Sequence, residues 1–171
     1  MKRQLLIVDG YNMIGSWKET HTLFQQNRLE EARDYLLEKL SEYANFEGIE
    51  VVCVFDAQYV PGVRTSYKKY NVLVVFTEED ETADDYIERL AGECNDILTQ
   101  VFVATSDLAE QWVVFSQGAA RISARELEKM VDLGQKDVKS FTNSLMDVKP
   151  RATQWSEEQI NQLKNLMNKL D

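Results

Sequence analysis

The chain has 171 residues, of which 44% are hydrophobic and 28% are charged, and its formal net charge is −10 at pH 7. This composition is typical of a globular protein with one domain, and its acidity argues against a general nucleic-acid coat. No apolar run approaches the roughly 18 residues of a membrane span, so no membrane partner is expected. Two cysteines in apolar surroundings, Cys53 and Cys94, predict reduced thiols in a cytoplasmic protein.

Apolar runs predict the strands of a buried sheet. They are LLIV at 5–8, EVVCVF at 50–55, VLVVF at 72–76 and VFVA at 101–104, with a shorter candidate, AARI, at 119–122. These runs are rich in Val and Ile and do not alternate with polar residues. Such runs are typical of parallel strands whose two faces are both covered.

Helical patterns lie between most of these runs. They are expected at 28–46, 83–97, 107–116 and 123–134, more weakly at 136–147, and after SEEQ at 156–159. SARE at 123–126 predicts a capping box, and Gly134 is expected to end that helix. Loops are predicted at 13–26, 57–71 and 148–155. Strands alternating with helices predict an α/β three-layer sandwich, with a central, mostly parallel sheet and helices on both faces.

Carboxylates follow each of the first four predicted strands. They are Asp9, Asp56, Asp84 with Asp85, and Asp107. The carboxyl ends of parallel strands lie on one edge of the sheet, where such folds bind ligands, so these acids are expected to converge. Carboxylates held together repel one another unless a cation neutralises them. Oxygen-only ligands favour Mg²⁺ or Mn²⁺.

Each of these acids also has a structural interpretation. Asp9 suits a turn, and Asp107 would favour a helix N-terminus with Ser106 as its N-cap. Asp85 completes a capping box, which leaves Asp84 as the preferred ligand of that pair. These interpretations do not explain why the acids recur at the same edge of the sheet.

The densest basic stretch is RTSYKKY at 64–70. Basic side chains interleaved with tyrosines suit phosphate contact and base stacking, so we expect Arg64, Tyr67, Lys68 and Lys69 to bind a single-stranded nucleic acid. The alternative is an exposed loop without a ligand. Residues 78–96 hold nine acids and one base, and the charges outside this block nearly balance. A local basic face is therefore compatible with the net charge.

Several motifs, in order, resemble the NYN domain of the PIN-like nuclease superfamily, and the resemblance is closest to its YacP-like bacterial branch. They are VDGYNMIG, VVFDA, ETADDYIERLA and VATSD, followed by EQWVVFSQGAARISARELE, and together they cover roughly residues 4 to 133. The resemblance implies a metal-dependent ribonuclease with Asp9, Asp84 and Asp107 as its core metal ligands. It also implies that Asn12 orients groups beside them, that Asp56 is a further acid, and that Ser106 is an accessory residue in RNA binding.

The same resemblance implies an endoribonuclease that cleaves single-stranded RNA, namely mRNA on the translating ribosome, with DNA not expected as a partner. The nuclease domain is expected at 1–148, with a linker and helix at 149–171 docked on it. One alternative is a noncatalytic RNA- or ribosome-binding module with the same fold. Another is a phosphoryl-transfer switch or phosphatase, for which Asp56 and Thr105 are present but no Lys directly follows a strand end.

Overall fold

The computed structural model describes residues 2–57, 65–69, 71–144, 161–163 and 165–166, with the backbone alone at 65–69, 110 and 135–144. Within these ranges the strands are β1 (Arg3–Asp9), β2 (Glu50–Phe55), β3 (Thr65–Lys69), β4 (Val72–Phe76), β5 (Thr99–Ala104) and β6 (Ala120–Ile122). The helices are α1 (Gly10–Ser16), α2 (Lys18–Gln25), α3 (Leu29–Glu47), α4 (Ala83–Cys94), α5 (Leu108–Ser116) and α6 (Ala124–Ser144).

The strands form one sheet in the order β3-β4-β2-β1-β5-β6. Neighbouring strands are parallel throughout this sheet except for β3, which pairs with β4 in the antiparallel sense. On one side of β1 the chain adds β2, then β3 at the edge of the sheet, and then β4 between β3 and β2; it then crosses to β5 on the other side of β1. The topological switch point therefore lies between β1 and β5, at the edge formed by the carboxyl ends of the parallel strands.

Helices cover both faces of the sheet, as the sequence predicts. One core joins strand residues such as Val8 and Cys53 to residues of α1, α3 and α6, among them Met13 and Leu36. The other core joins the alternate strand residues to α4 and α5, and Leu163 from the helical turn at 161–163 packs there as well. Alternate residues of a strand point to opposite faces, so a strand buried on both faces reads as a continuous apolar run.

All five predicted strands are confirmed, with small shifts at their ends, but two predicted loops are wrong. Residues 13–26 contain the end of α1 and all of α2, and residues 57–71 contain β3. The first loop prediction failed because α2 has almost no inward apolar stripe. Its buried Thr20 instead anchors it, with the hydroxyl donating to the carbonyl oxygen of Ile14 at 2.9 Å.

The capping box that begins α6 is confirmed, whereas the predicted helix end at Gly134 is wrong. Ser123 Oγ accepts from the backbone N–H of Glu126 at 3.1 Å. The helix continues through Gly134 to Ser144, and a Cβ at Gly134 would lie 3.6 Å from the ring of Tyr43. The glycine therefore lies where α6 packs against α3, with room for a Cβ in ordinary van der Waals contact. No helix in the described ranges is long and apolar enough to cross a membrane.

Candidate active site

The candidate site begins where β1 turns directly into α1. Asp9 ends the strand and is the N-cap of the helix, since the backbone N–H of Asn12 donates to its Oδ1 at 3.4 Å. Gly10 comes next, and a Cβ at this position would lie 2.3 Å from Cε1 of Phe55. The absence of a side chain at Gly10 therefore lets α1 start against the end of β2, with Asp9 buried at the sheet edge.

A pair of hydrogen bonds ties the end of β1 to the end of β5. The backbone N–H of Ser106 donates to Asn12 Oδ1 at 2.8 Å, although the two residues are 94 positions apart. Ser106 Oγ accepts in turn from the backbone N–H of Ala124, at the start of α6, at 2.9 Å. The structure therefore brings Asn12 and Ser106 together at the switch point.

Asp107 lies directly after this bridge and caps α5. The backbone N–H of Ala109 donates to its Oδ1 at 2.9 Å, and its own N–H donates to Thr105 Oγ1 at 3.2 Å. The sequence interpretation assigned this cap to Ser106, whose hydroxyl is instead used by α6. Gln111, on α5, stabilises the loop between β5 and α5, because its Nε2 donates to the carbonyl oxygen of Thr105 at 2.6 Å.

Asp56 and Asp84 form a second group at the same edge. Asp56 Oδ2 accepts from the backbone N–H of Ala83 at 3.3 Å, which ties the end of β2 to the first residue of α4. Asp84 is the next residue of that helix and is exposed. Asp85 lies in the predicted cap, since its backbone N–H donates to Thr82 Oγ1 at 3.1 Å.

The donor chemistry at this edge suits a hard divalent cation. The candidate ligands Asp9, Asp84 and Asp107 offer carboxylate oxygens alone, which is the donor type that Mg²⁺ and Mn²⁺ take. Among the described residues, no group of three or more His, Cys, Asp or Glu is arranged to hold a metal ion. Mg²⁺ usually keeps several waters and takes one or two carboxylates directly, so the donor type at this edge suits a largely hydrated ion.

The predicted RNA-binding loop falls largely outside the part of the chain that the structure describes. Arg64 is not among the described residues, and for Tyr67, Lys68 and Lys69 the structure gives only the backbone of β3. Their role in binding RNA stays a prediction. Ser106, the other residue in that prediction, lies in the bridge to Asn12.

The structure places one cation at this edge that the sequence did not indicate. Arg33, on α3, donates from Nη1 to the hydroxyl of Tyr11 at 3.2 Å, and its Cζ lies 6.0 Å from the centroid of the Phe76 ring. Tyr11 follows Asp9 by two residues, and Phe76 ends β4, so this cation lies at the same edge as the carboxylates. No sequence signal reports this contact, because its partners are 22 and 43 positions away from Arg33.

The chain matches the model of the YacP-like NYN domain over residues 6–168, which extends beyond the motifs noted in the sequence. It is 46% identical over 146 residues to the protein YacP of Bacillus subtilis (strain 168), a match that covers 85% of each chain.

Two crystal structures of Rae1 (YacP) from Bacillus subtilis share the fold. For a point mutant, the TM-score is 0.74 at 38% identity, over 97% of this chain and 92% of that one. For the other structure, the TM-score is 0.73 at 40% identity, over 97% and 89%. The chain therefore belongs to the YacP-like NYN domain family, whose domains are of the nuclease type.

Proposed function

We propose that this protein is a metal-dependent endoribonuclease that cleaves single-stranded RNA, specifically mRNA on the translating ribosome in the cytoplasm. The observation that carries the proposal is the 2.8 Å hydrogen bond between Ser106 and Asn12. It joins the ends of β1 and β5 at the switch point of the sheet, with Asp9 and Asp107 next to its two partners. Membership of a nuclease-type family supports the same reading.

In this proposal Asp9, Asp84 and Asp107 hold Mg²⁺ or Mn²⁺. A divalent cation supplies activation of water and compensation of phosphoryl charge. Asn12 sets the spacing between the two strand ends through its bond to Ser106, and Asp56 fixes the start of α4 beside Asp84. The protein residues thus orient the carboxylates before RNA arrives.

The charge of the protein bears on how it meets RNA. With a net charge of −10, it has little nonspecific attraction for the phosphate backbone. A larger partner that presents the RNA would remove this obstacle. The acidity therefore supports the ribosome as the partner that delivers single-stranded mRNA to the site.

Asparagine variants of the carboxylates test the proposal. Asn is as good an N-cap as Asp, so Asp9→Asn and Asp107→Asn remove a charge while they keep the helix caps. We expect each variant to lose about 100-fold or more in cleavage rate, because an ion held by few carboxylates depends on each of them. Asp84→Asn should behave in the same way. Its matched control is Asp85→Asn, which changes the neighbouring acid on α4 and should cleave as the wild type does.

The measurement is the mapping of new RNA 5′ ends from translating ribosomes incubated with the protein, with and without chelator. The proposal expects discrete cleavage sites that disappear with chelator and with the asparagine variants. Equal cleavage by the wild type and by Asp9→Asn and Asp107→Asn would contradict it.

The alternative function is a noncatalytic module that binds RNA or the ribosome. The lack of a group of three acids close enough to hold a metal, among the described residues, favours this reading. In the same experiment this module would remain bound to ribosomes and produce no new 5′ ends, with or without metal.

A further inference from the structure

We propose that Arg33 binds a phosphate of the RNA backbone at the carboxyl edge of the sheet. The proposal rests on the proposed function in naming RNA as the ligand, but it does not require that the protein cleave RNA. Tyr11 is the positioning residue for Arg33 in this role.

The location of Arg33 follows from the way α3 packs. The helix begins at Leu29, so Arg33 lies in its second turn, close to the end of the helix that meets the carboxyl edge. Its contacts are Tyr11, in the first turn of α1, and Phe76, the last residue of β4. Arg33 is therefore at the edge where Asp9 ends β1, and it is partly buried.

Aromatic side chains hold the guanidinium in place. The rings of Tyr11 and Phe55 are 5.0 Å apart between centroids, and those of Phe55 and Phe76 are stacked at 5.3 Å. Arg33 lies across the two ends of this row, with a hydrogen bond to Tyr11 and its cation over the face of Phe76. A guanidinium over an aromatic ring is attracted by the ring electrons, so the row fixes its orientation without neutralising its charge.

The lack of a carboxylate partner among the described residues distinguishes Arg33 from Arg3, Arg28 and Arg89. Arg3 pairs with Glu50 at 2.6 Å, and Arg28 pairs with Glu31. Arg33 has no ion-pair partner among the described residues, and its one hydrogen bond there uses one of five N–H donors. A fixed planar guanidinium with donors to spare is the group that binds a phosphate in a bidentate manner.

A purely structural role is the competing interpretation, in which Arg33 only packs on the aromatic row. The two roles differ in one measurable quantity. Each phosphate neutralised on a single strand changes the slope of log affinity against log salt by about 0.7. A packing residue leaves that slope unchanged.

The test measures the affinity for a labelled single-stranded RNA of about 12 nucleotides, a length within the usual range of binding sites. Fluorescence anisotropy is recorded in chelator between about 50 and 200 mM salt for the wild type, Arg33→Gln and Arg28→Gln. Arg28→Gln is the matched control, because it changes the net charge by the same amount at the N-cap of the same helix and removes a solvent-exposed arginine paired with Glu31. We expect Arg33→Gln to bind about tenfold more weakly with a slope smaller by about 0.7, and Arg28→Gln to keep the wild-type slope.

Tyr11→Phe separates positioning from binding. It removes the hydroxyl that accepts from Arg33 and changes no charge. We expect the affinity to fall a few-fold while the slope stays at the wild-type value, since the phosphate contact is weakened but its charge is retained. Thermal unfolding of each variant shows whether the fold is intact.

The outcomes separate this inference from the proposed function. Equal slopes for Arg33→Gln and Arg28→Gln would overturn the phosphate contact, even if the wild type cleaves RNA. The absence of any wild-type binding to the oligonucleotide would overturn it as well. A smaller slope for Arg33→Gln in a protein that never cleaves RNA would support the contact and refute the nuclease.

Discussion

Among single residues, Gly10 determines how closely the start of α1 can approach the end of β2 at the candidate site. Gly10 lies between Asp9 and Tyr11, and its backbone rests directly against the ring of Phe55. A Cβ at Gly10 would lie 2.3 Å from Cε1 of that ring. Phe55 is fully buried and stacks on Phe76, so it cannot move without disturbing the row that supports Arg33. The glycine is needed here because of this close approach.

Alanine at Gly10 should therefore destabilise the protein. Because the added methyl group would overlap the buried ring of Phe55, we expect Gly10→Ala to lower the free energy of unfolding by about 1 to 3 kcal/mol. Gly15→Ala, in the same helix, meets no atom within 4 Å and should raise it by up to about 1 kcal/mol, since Ala is the better helix former. Urea unfolding of both variants measures the difference. Equal effects would show that the contact with Phe55 does not limit this position.

Among the secondary-structure elements, three helices have their N-termini at the candidate site. α1 begins at the Asp9 cap, α4 at the Thr82 cap, and α5 after Asp107, all of them at the carboxyl edge of the sheet. Helix N-termini carry partial positive charge and favour anionic side chains. This arrangement favours carboxylates at this edge, and it assigns to Asp9 and Asp107 a structural role in addition to the proposed catalytic one.

The two roles of Asp107 can be separated by choosing its replacement. Asp107→Asn keeps an oxygen that accepts from the N–H of Ala109, whereas Asp107→Ala removes it. We expect Asp107→Ala to lower the free energy of unfolding by roughly 1 kcal/mol more than Asp107→Asn, while both lose cleavage. The measurement compares urea unfolding with RNA cleavage for the two variants. If both variants are equally stable, the cap contributes nothing at this position.

The strands and the order of the acids along them could be predicted from the sequence, because burial on both faces of a parallel sheet leaves a continuous apolar run. The assignment of caps could be predicted less well, since Thr105, Ser106 and Asp107 are all capping residues and only tertiary contacts decide among them. Ser106 bonds to α6 and leaves the start of α5 to Asp107. Arg33 could not be predicted, because its role depends on distant residues and on the position of α3.

At the scale of the whole molecule, the two cores bury groups that resist ionisation. Burial raises the pKa of the Cys53 thiol well above its ordinary value, and the nearby Asp9 carboxylate raises it further. Burial, with a contribution from Glu93, raises the pKa of Cys94 to about 12. Burial also raises the pKa of Tyr43 to about 12. These groups stay neutral in the folded protein at pH values where they would ionise in the unfolded chain.

The protein should therefore lose stability in alkaline solution. The pKa values of the two thiols are raised in the folded protein, so the unfolded chain releases these protons first as the pH rises. The stabilisation is therefore complete below the ordinary thiol pKa of about 9 and is lost progressively toward pH 12. Urea unfolding at a series of pH values above 8 should show a falling free energy of unfolding. Cys94→Ala should make that fall shallower. A free energy that stays constant over this range would contradict the prediction.

The bridge from Asn12 through Ser106 to Ala124 also has a consequence for spectroscopy. The amides of Ser106 and Ala124 each donate to a side-chain oxygen from a distant part of the chain. Amide protons held in this way exchange slowly with solvent, although Ser106 itself is exposed. In an NMR spectrum these two signals would report whether the ends of β1, β5 and the start of α6 are joined, without any substrate, metal or enzymatic assay.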